Sequence, residues 1–291
     1  MPVAAPRFRL PPETRIGTVA LAIADLDRSL DYYRTVLGFR LLDRAGSTAR
    51  LGAAGSDRAL VALHAEPGLV PVPRRGRLGI YHFAVLLPDR GALGTFLRHA
   101  STLDARIGSA EHLVSEALYL IDPDGITIEV YRDRPREEWP IRQGQIVASI
   151  DPLDTEGVLA AGAGRAWEGL PAGTTIGHVH FFVDDLAEAE GFYHAALGFD
   201  KTFWGLPGML FVAAGGYHHH VGLNTWAAGA PVATERDARM LYWELLVPDR
   251  ATADTAADSL RRSGRTVAQV DGALSARDAW GITVRILEST S

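Results

Sequence analysis

The chain has no cysteine among its 291 residues. Disulfides and thiolate metal sites are therefore excluded, and any transition metal must be held by His, Asp or Glu. Donors of that kind suit iron, manganese or zinc. An excess of basic residues is also missing, because the formal net charge is -6. That excludes a nucleic-acid binder, which needs a basic face for phosphate. No apolar run approaches the roughly 20 residues that span a bilayer, so no membrane partner is expected. Residues Met1 to Arg7 lack the apolar core of a signal peptide, and a cytoplasmic location is the default expectation. What remains, at 47 % hydrophobic and 22 % charged, is the composition of an ordinary globular protein with length enough for two domains.

The chain repeats itself. Ile176-Gly177-His178-Val179-His180-Phe181-Phe182-Val183, then Asp184-Asp185-Leu186, ends at Leu197-Gly198-Phe199. Ile16-Gly17-Thr18-Val19-Ala20-Leu21-Ala22-Ile23, then Ala24-Asp25-Leu26, ends at Leu37-Gly38-Phe39 with an offset of 160 positions. Tyr81 to Arg90 and Leu241 to Arg250 repeat at the same offset. Asp122-Pro123-Asp124-Gly125-Ile126-Thr127-Ile128 is echoed by Asp278-Ala279-Trp280-Gly281-Ile282-Thr283-Val284. Fixed-period self-similarity marks internal duplication.

Each repeat reads as a strand, a helix and further short strands. Ile16 to Ile23 alternates as a strand does, Asp25 or Asp27 can cap the helix that follows, and Gly38 suits its left-handed stop. The prediction is an α+β fold of four tandem βαβββ modules that form two half-open mixed-sheet barrels. Residues 1–14 are a Pro-rich arm. Residues 1–139 form a first domain of two modules, 140–173 a connector with a short helix near Thr155 to Ala161, and 174–291 a second domain.

Equivalent positions then differ in a chemically informative way. The first strands carry Thr18, His82, His178 and Tyr242 in modules one to four, and the last strands of modules two and four carry Glu129 and Arg285. Thr18, Tyr242 and Arg285 cannot form a metal site, whereas His82, Glu129 and His178 can. Two imidazoles and one carboxylate make a facial triad that leaves coordination positions open. The set requires modules two and three to pair, leaving one and four as an empty counterpart. Pairing as one–two and three–four would leave each half incomplete. Strand alternation puts His178 and His180 on one face, and likewise His218 and His220, with His219 opposite.

These motifs resemble the vicinal oxygen chelate superfamily (glyoxalase, bleomycin resistance, extradiol dioxygenase), and most closely its catechol 2,3-dioxygenase-like branch. The resemblance covers nearly the whole chain. It rests on Gly177 to His180, Gly215 to Trp226, Tyr81-His82-Phe83, Ser115 to Tyr119, and Asp122 to Gly125 leading to Glu129. It implies Fe(II), with Mn(II) as the alternative ion, held by His82, His178 and Glu129. It implies a supporting tyrosine ten residues before the glutamate, which is Tyr119, a basic residue near it, matched by His112, and an acid–base histidine, best matched by His220. The common family pattern places the site in the last two modules, where Tyr242 and Arg285 stand here, so this chain would have moved it.

The implied activity is Fe(II)-dependent extradiol cleavage of a catechol-type ring with O2. His180, His218, Asn224 and Trp226 are the expected substrate-binding residues, and Arg132, Asp133 and Arg134 read as salt-bridged surface. Two alternatives share the scaffold. One is a glyoxalase-type metal-dependent lyase or isomerase, which usually uses two carboxylate ligands. The other is a metal-free small-molecule binding protein of the bleomycin-resistance type. A homo-oligomer is compatible with any of these.

Overall fold

The computed structural model describes residues 6–103 and 105–289. Module one comprises β1 (Arg15–Ile23), α1 (Leu26–Asp31), β2 (Arg40–Ala45), β3 (Thr48–Gly52) and β4 (Val61–Ala65). Asp25 caps α1 by accepting from the Arg28 N–H, and the helix runs on as a π-helical turn over Tyr32–Val36. Module two comprises β5 (Gly79–Leu86), α2 (Arg90–Thr102), β6 (Gly108–Glu111), β7 (Ser115–Ile121) and β8 (Thr127–Asp133). The connector carries the short pair β9 (Ile141–Arg142) and β10 (Gln145–Ile146) and the helix α3 (Thr155–Ala161). Module three comprises β11 (Thr175–Phe182), α4 (Leu186–Ala189), β12 (Asp200–Phe203), β13 (Met209–Ala213) and β14 (Val221–Asn224). Module four comprises β15 (Arg239–Val247), α5 (Arg250–Arg262), β16 (Val267–Val270), β17 (Ala273–Arg277) and β18 (Thr283–Glu288).

The strands make two curled eight-stranded mixed sheets in an α+β fold. One has the order β16-β17-β18-β15-β1-β4-β3-β2, and the other β12-β13-β14-β11-β5-β8-β7-β6. Each sheet thus takes one module from each sequence half: four with one, and three with two. The seams are antiparallel, β1 against β15 and β11 against β5. Inside each module the first strand runs parallel to the last, which places a helix on the outer face.

Tyrosine–aspartate bonds brace the two halves in the same way. Tyr33, on the π-turn of module one, donates its hydroxyl to Asp122 at 3.0 Å, and Tyr193 donates to Asp278 at 2.9 Å. Both aspartates also accept two backbone N–H groups of their own turn, so each organises a reversal between strands. Of the Pro-rich arm, residues 1–5 lie outside the described residues. Leu10 is buried, and its N–H donates to the Gly198 carbonyl of module three.

Candidate metal centre

The central strands of the module two–three sheet, β11, β5 and β8, lie side by side and carry His178, His82 and Glu129. The register puts His178, Ala84 and Glu129 in one row across the three strands. Paired residues on neighbouring strands point to the same face, and Ala84 between them is small, so the two longer side chains meet above it. His82, two residues from Ala84, points the same way. His82 Nε2 and Glu129 Oε2 are 3.1 Å apart, His178 Nε2 and Glu129 Oε2 3.2 Å, and the two Nε2 atoms 3.2 Å. All three residues are buried, and theirs is the one metal-competent group of three among the described residues.

That triangle fits one divalent ion. Ligand atoms about 2.1 Å from a metal and at right angles to one another lie about 3.0 Å apart. Burial alone would raise the Glu129 carboxyl, but His178 and His82 outweigh it and hold the carboxylate well below its usual range. Burial lowers both imidazoles, against the pull of Glu129. The result is an anion and two neutral nitrogen donors facing one point, a set that a cation would relieve of its desolvation cost.

Two irregularities in the β5–β11 seam shape the site. The register shifts between Ile176 and His178, leaving Gly177 without a partner, and again between His180 and Phe181, leaving Tyr81 without one. Glycine is required at the first, because a Cβ there would overlap the Tyr131 hydroxyl. At the second, Tyr81 lines the cavity beside His82 (ring centroids 4.6 Å) and stacks on Phe182.

His82 and Glu129 of the ligand set line a cavity of about 870 Å³. Tyr119 and His112 share it. The His112 Nδ1–H donates to the Ser149 carbonyl at 2.7 Å, so its Nε2 accepts from the Tyr119 hydroxyl, also at 2.7 Å. Burial, then the Glu129 charge, pushes Tyr119 well above its ordinary pKa. His180 lines the cavity as well. Asn224 accepts from the Trp226 backbone N–H and therefore donates through Nδ2 to His180 Nε2. Asn224 thus acts on His180 from behind, while Trp226 itself is in the wall.

The alternation expected over His218, His219 and His220 does not hold. Gly215 and Gly216 both have positive φ, and the chain from Ala214 to His220 is irregular before β14 begins at Val221. His218 and His219 line the cavity, whereas His220 does not. His220 stacks on Phe199, and its Nδ1 accepts from the Ala214 N–H. Burial takes its pKa down to about 3. His219 instead lies 4.1 Å from the His178 ring and stacks on Phe211 at 4.4 Å.

Asp133, read from the sequence as salt-bridged surface, instead pairs with a histidine of the cavity wall. Its Oδ1 accepts from His218 Nε2 at 2.8 Å, and His218 Nδ1 then accepts from His219 Nδ1–H at 2.7 Å. A signal was available, since Asp133 stands four residues after Glu129 on the same strand and so on the same face.

The counterpart position in the other sheet is filled by protein. Glu244 accepts from the Thr18 N–H at 2.9 Å, the Thr18 hydroxyl donates to the Ala59 carbonyl, and the Arg285 guanidinium lies 3.7 Å over the Tyr242 ring.

A family model described as the Glyoxalase/Bleomycin resistance protein/Dioxygenase superfamily matches residues 15–130. The Catechol-2,3-dioxygenase of Bacillus subtilis (strain 168) is 40% identical over 270 residues, which is 91% of this chain and 94% of that one. Among solved structures, a Bacillus subtilis protein provisionally described as a dioxygenase superposes with a TM-score of 0.67 at 12% identity, covering 97% of this chain and 87% of that one. Glyoxalase I from Zea mays does so with 0.55 at 18% identity, covering 95% and 92%. At these identities the solved structures show a shared fold. On the identity and coverage of the first relative, the chain belongs to the glyoxalase/bleomycin resistance/dioxygenase superfamily, in its catechol 2,3-dioxygenase-like branch.

Proposed function

We propose that this chain is an extradiol dioxygenase that opens the ring of a catechol-type compound with O2, using Fe(II) held by His82, Glu129 and His178. The observation that carries the reading is the buried triangle of donor atoms on three adjacent strands, in a chain so similar to a catechol dioxygenase. Mn(II) suits the same donors. The single carboxylate in the set favours this reading over a glyoxalase-type isomerase.

When bound, the ion would offer open positions to two adjacent catechol oxygens and to O2, and would lower the pKa of the hydroxyls it holds. The chain's own residues manage the protons. His112 is held by Ser149 with its lone pair toward Tyr119, so Tyr119 can take a proton from a catechol hydroxyl as it gives its own to His112 Nε2, where the imidazolium holds it. We assign the acid–base role on the opposite wall to His219. His218, fixed by Asp133, accepts the His219 Nδ1–H and leaves Nε2 as the nitrogen that gains and loses a proton. Phe211 stacks on the ring and holds its plane. Burial holds this imidazole well below its usual pKa, so at rest Nε2 is an acceptor; once it has taken a proton from the substrate it becomes a donor worth about 3 kcal/mol to an oxygen that gains negative charge.

Protein purified without oxygen and loaded with Fe(II) tests the reading. One iron per chain and a yellow ring-fission product from catechol are expected. A protein that binds no iron and forms no product would overturn it.

A further inference from the structure

The cavity is larger than a bare catechol needs. At about 870 Å³ it has the size that encloses a drug-sized molecule, for which pockets run to about 300–1,000 Å³. His82 and Glu129 line its polar part, and its walls include Ile107, Ile146, Met209, Phe211 and Trp226. Its charged lining residues are Glu129, Arg74, Arg75 and Arg106. Glu129 is engaged with the two imidazoles. What remains is positive, on a chain whose net charge is -6. Among the described residues none of the three arginines makes an ion pair with a carboxylate, whereas nearby Arg77 is bound to Asp237.

Arg75 is held in an unusual way. Its φ is +53°, a left-handed conformation that non-glycine residues avoid unless their surroundings enforce it. The turn is closed by the Gly76 N–H to the Pro73 carbonyl and anchored by the Val72 N–H to the Asp124 carbonyl. The result sets the guanidinium 5.7 Å over Trp226, whose ring meets Tyr81 edge-on at 5.8 Å, next to His82. One aromatic wall therefore runs from the ligand set to a cation without a carboxylate partner. His180 in the same wall adds a donor, since Asn224 occupies its Nε2 and leaves the proton on Nδ1.

We propose that the catechol turned over here carries an acidic side chain, whose carboxylate Arg74 and Arg75 receive at the mouth of the cavity. The proposal rests on the dioxygenase reading. Guanidinium–carboxylate pairs are charge-assisted and are weakened by salt where exposed.

The test compares kcat/KM of the iron-loaded enzyme for catechol, 3-(3,4-dihydroxyphenyl)propionate and the methyl ester of that acid. The acid is expected to exceed the ester by about tenfold at low salt, a margin that 0.5 M salt compresses to about threefold or less. In Arg74→Ala/Arg75→Ala the ratio should fall toward one, with the ester on the same preparation as internal control, and Arg75→Lys should keep part of it. An ester cleaved as well as the acid, or a ratio unmoved by the double substitution, would overturn the proposal alone. So would cleavage of catechol with neither longer compound accepted. Cleavage of none of the three would overturn the dioxygenase reading and this proposal with it.

Discussion

His82 Nε2 and His178 Nε2 stand 3.2 Å apart although 96 residues separate them in the chain. Neither nitrogen has a partner of its own beyond the other and one shared carboxylate oxygen. Three atoms that share so small a space compete for protons, and an ion resolves the competition. His82→Ala and His178→Ala should each lose stoichiometric Fe(II) or Mn(II), read by elemental analysis. Added metal should raise the melting temperature of the native protein, by the equivalent of about 2.7 kcal/mol at a hundredfold excess over Kd, and leave both variants unmoved.

The Asp133–His218–His219 chain gives a second expectation. In Asp133→Asn, His218 no longer faces an anion and can turn its tautomer over, so His219 loses its acceptor. We expect kcat for ring cleavage to fall by about tenfold to a hundredfold with iron content unchanged. A fall in iron content of similar size would instead make Asp133 a support for the ligands.

Stability should depend on pH through the two buried turn aspartates. Burial raises Asp122 to about 7 and Asp278 to about 6. Each folded-state pKa lies above the unfolded value, so the folded protein holds extra protons in between. These groups therefore favour the fold at low pH, and that contribution is lost as pH rises from about 4 to about 7. Asp122→Asn/Asp278→Asn should remove this slope, and denaturant midpoints at pH 5 and pH 8 should lie closer together than those of the native protein once the other titrating groups are subtracted by comparison.

Gly177 makes a local prediction. Gly177→Ala places a methyl group against the Tyr131 hydroxyl and should cost about 1–3 kcal/mol in urea unfolding. Adding Tyr131→Phe should recover part of that loss, although it leaves the Tyr217 hydroxyl without its 2.7 Å partner.

The repeated modules were legible because hydrophobic patterns recur at an offset of 160 and the Asp122 turn recurs at 156, and the ligand set because a duplicated position carries histidine in one copy and threonine in the other. The seam irregularities at Gly177 and Tyr81 were not legible, since a shift of register depends on what the partner strand does. The same limit explains His219. Alternation is a property of continuous strand, and the two glycines before Tyr217 end it. Asp133 sits on the predicted face, but its neighbours Arg132 and Arg134 offered a simpler partnership. The structure gives those arginines to Glu116 and Glu111 instead.

The exchange of modules between sheets makes the single chain behave as a tethered heterodimer. A cut in the stretch between α3 and β11 would leave His82 and Glu129 on one piece and His178 on the other, with half of each sheet on both. Separately, neither piece could close a sheet or complete a donor set. Mixed, they would bind metal with an affinity that rises with their concentration, whereas the intact chain supplies that concentration itself, through a connector whose length fixes how often the halves meet.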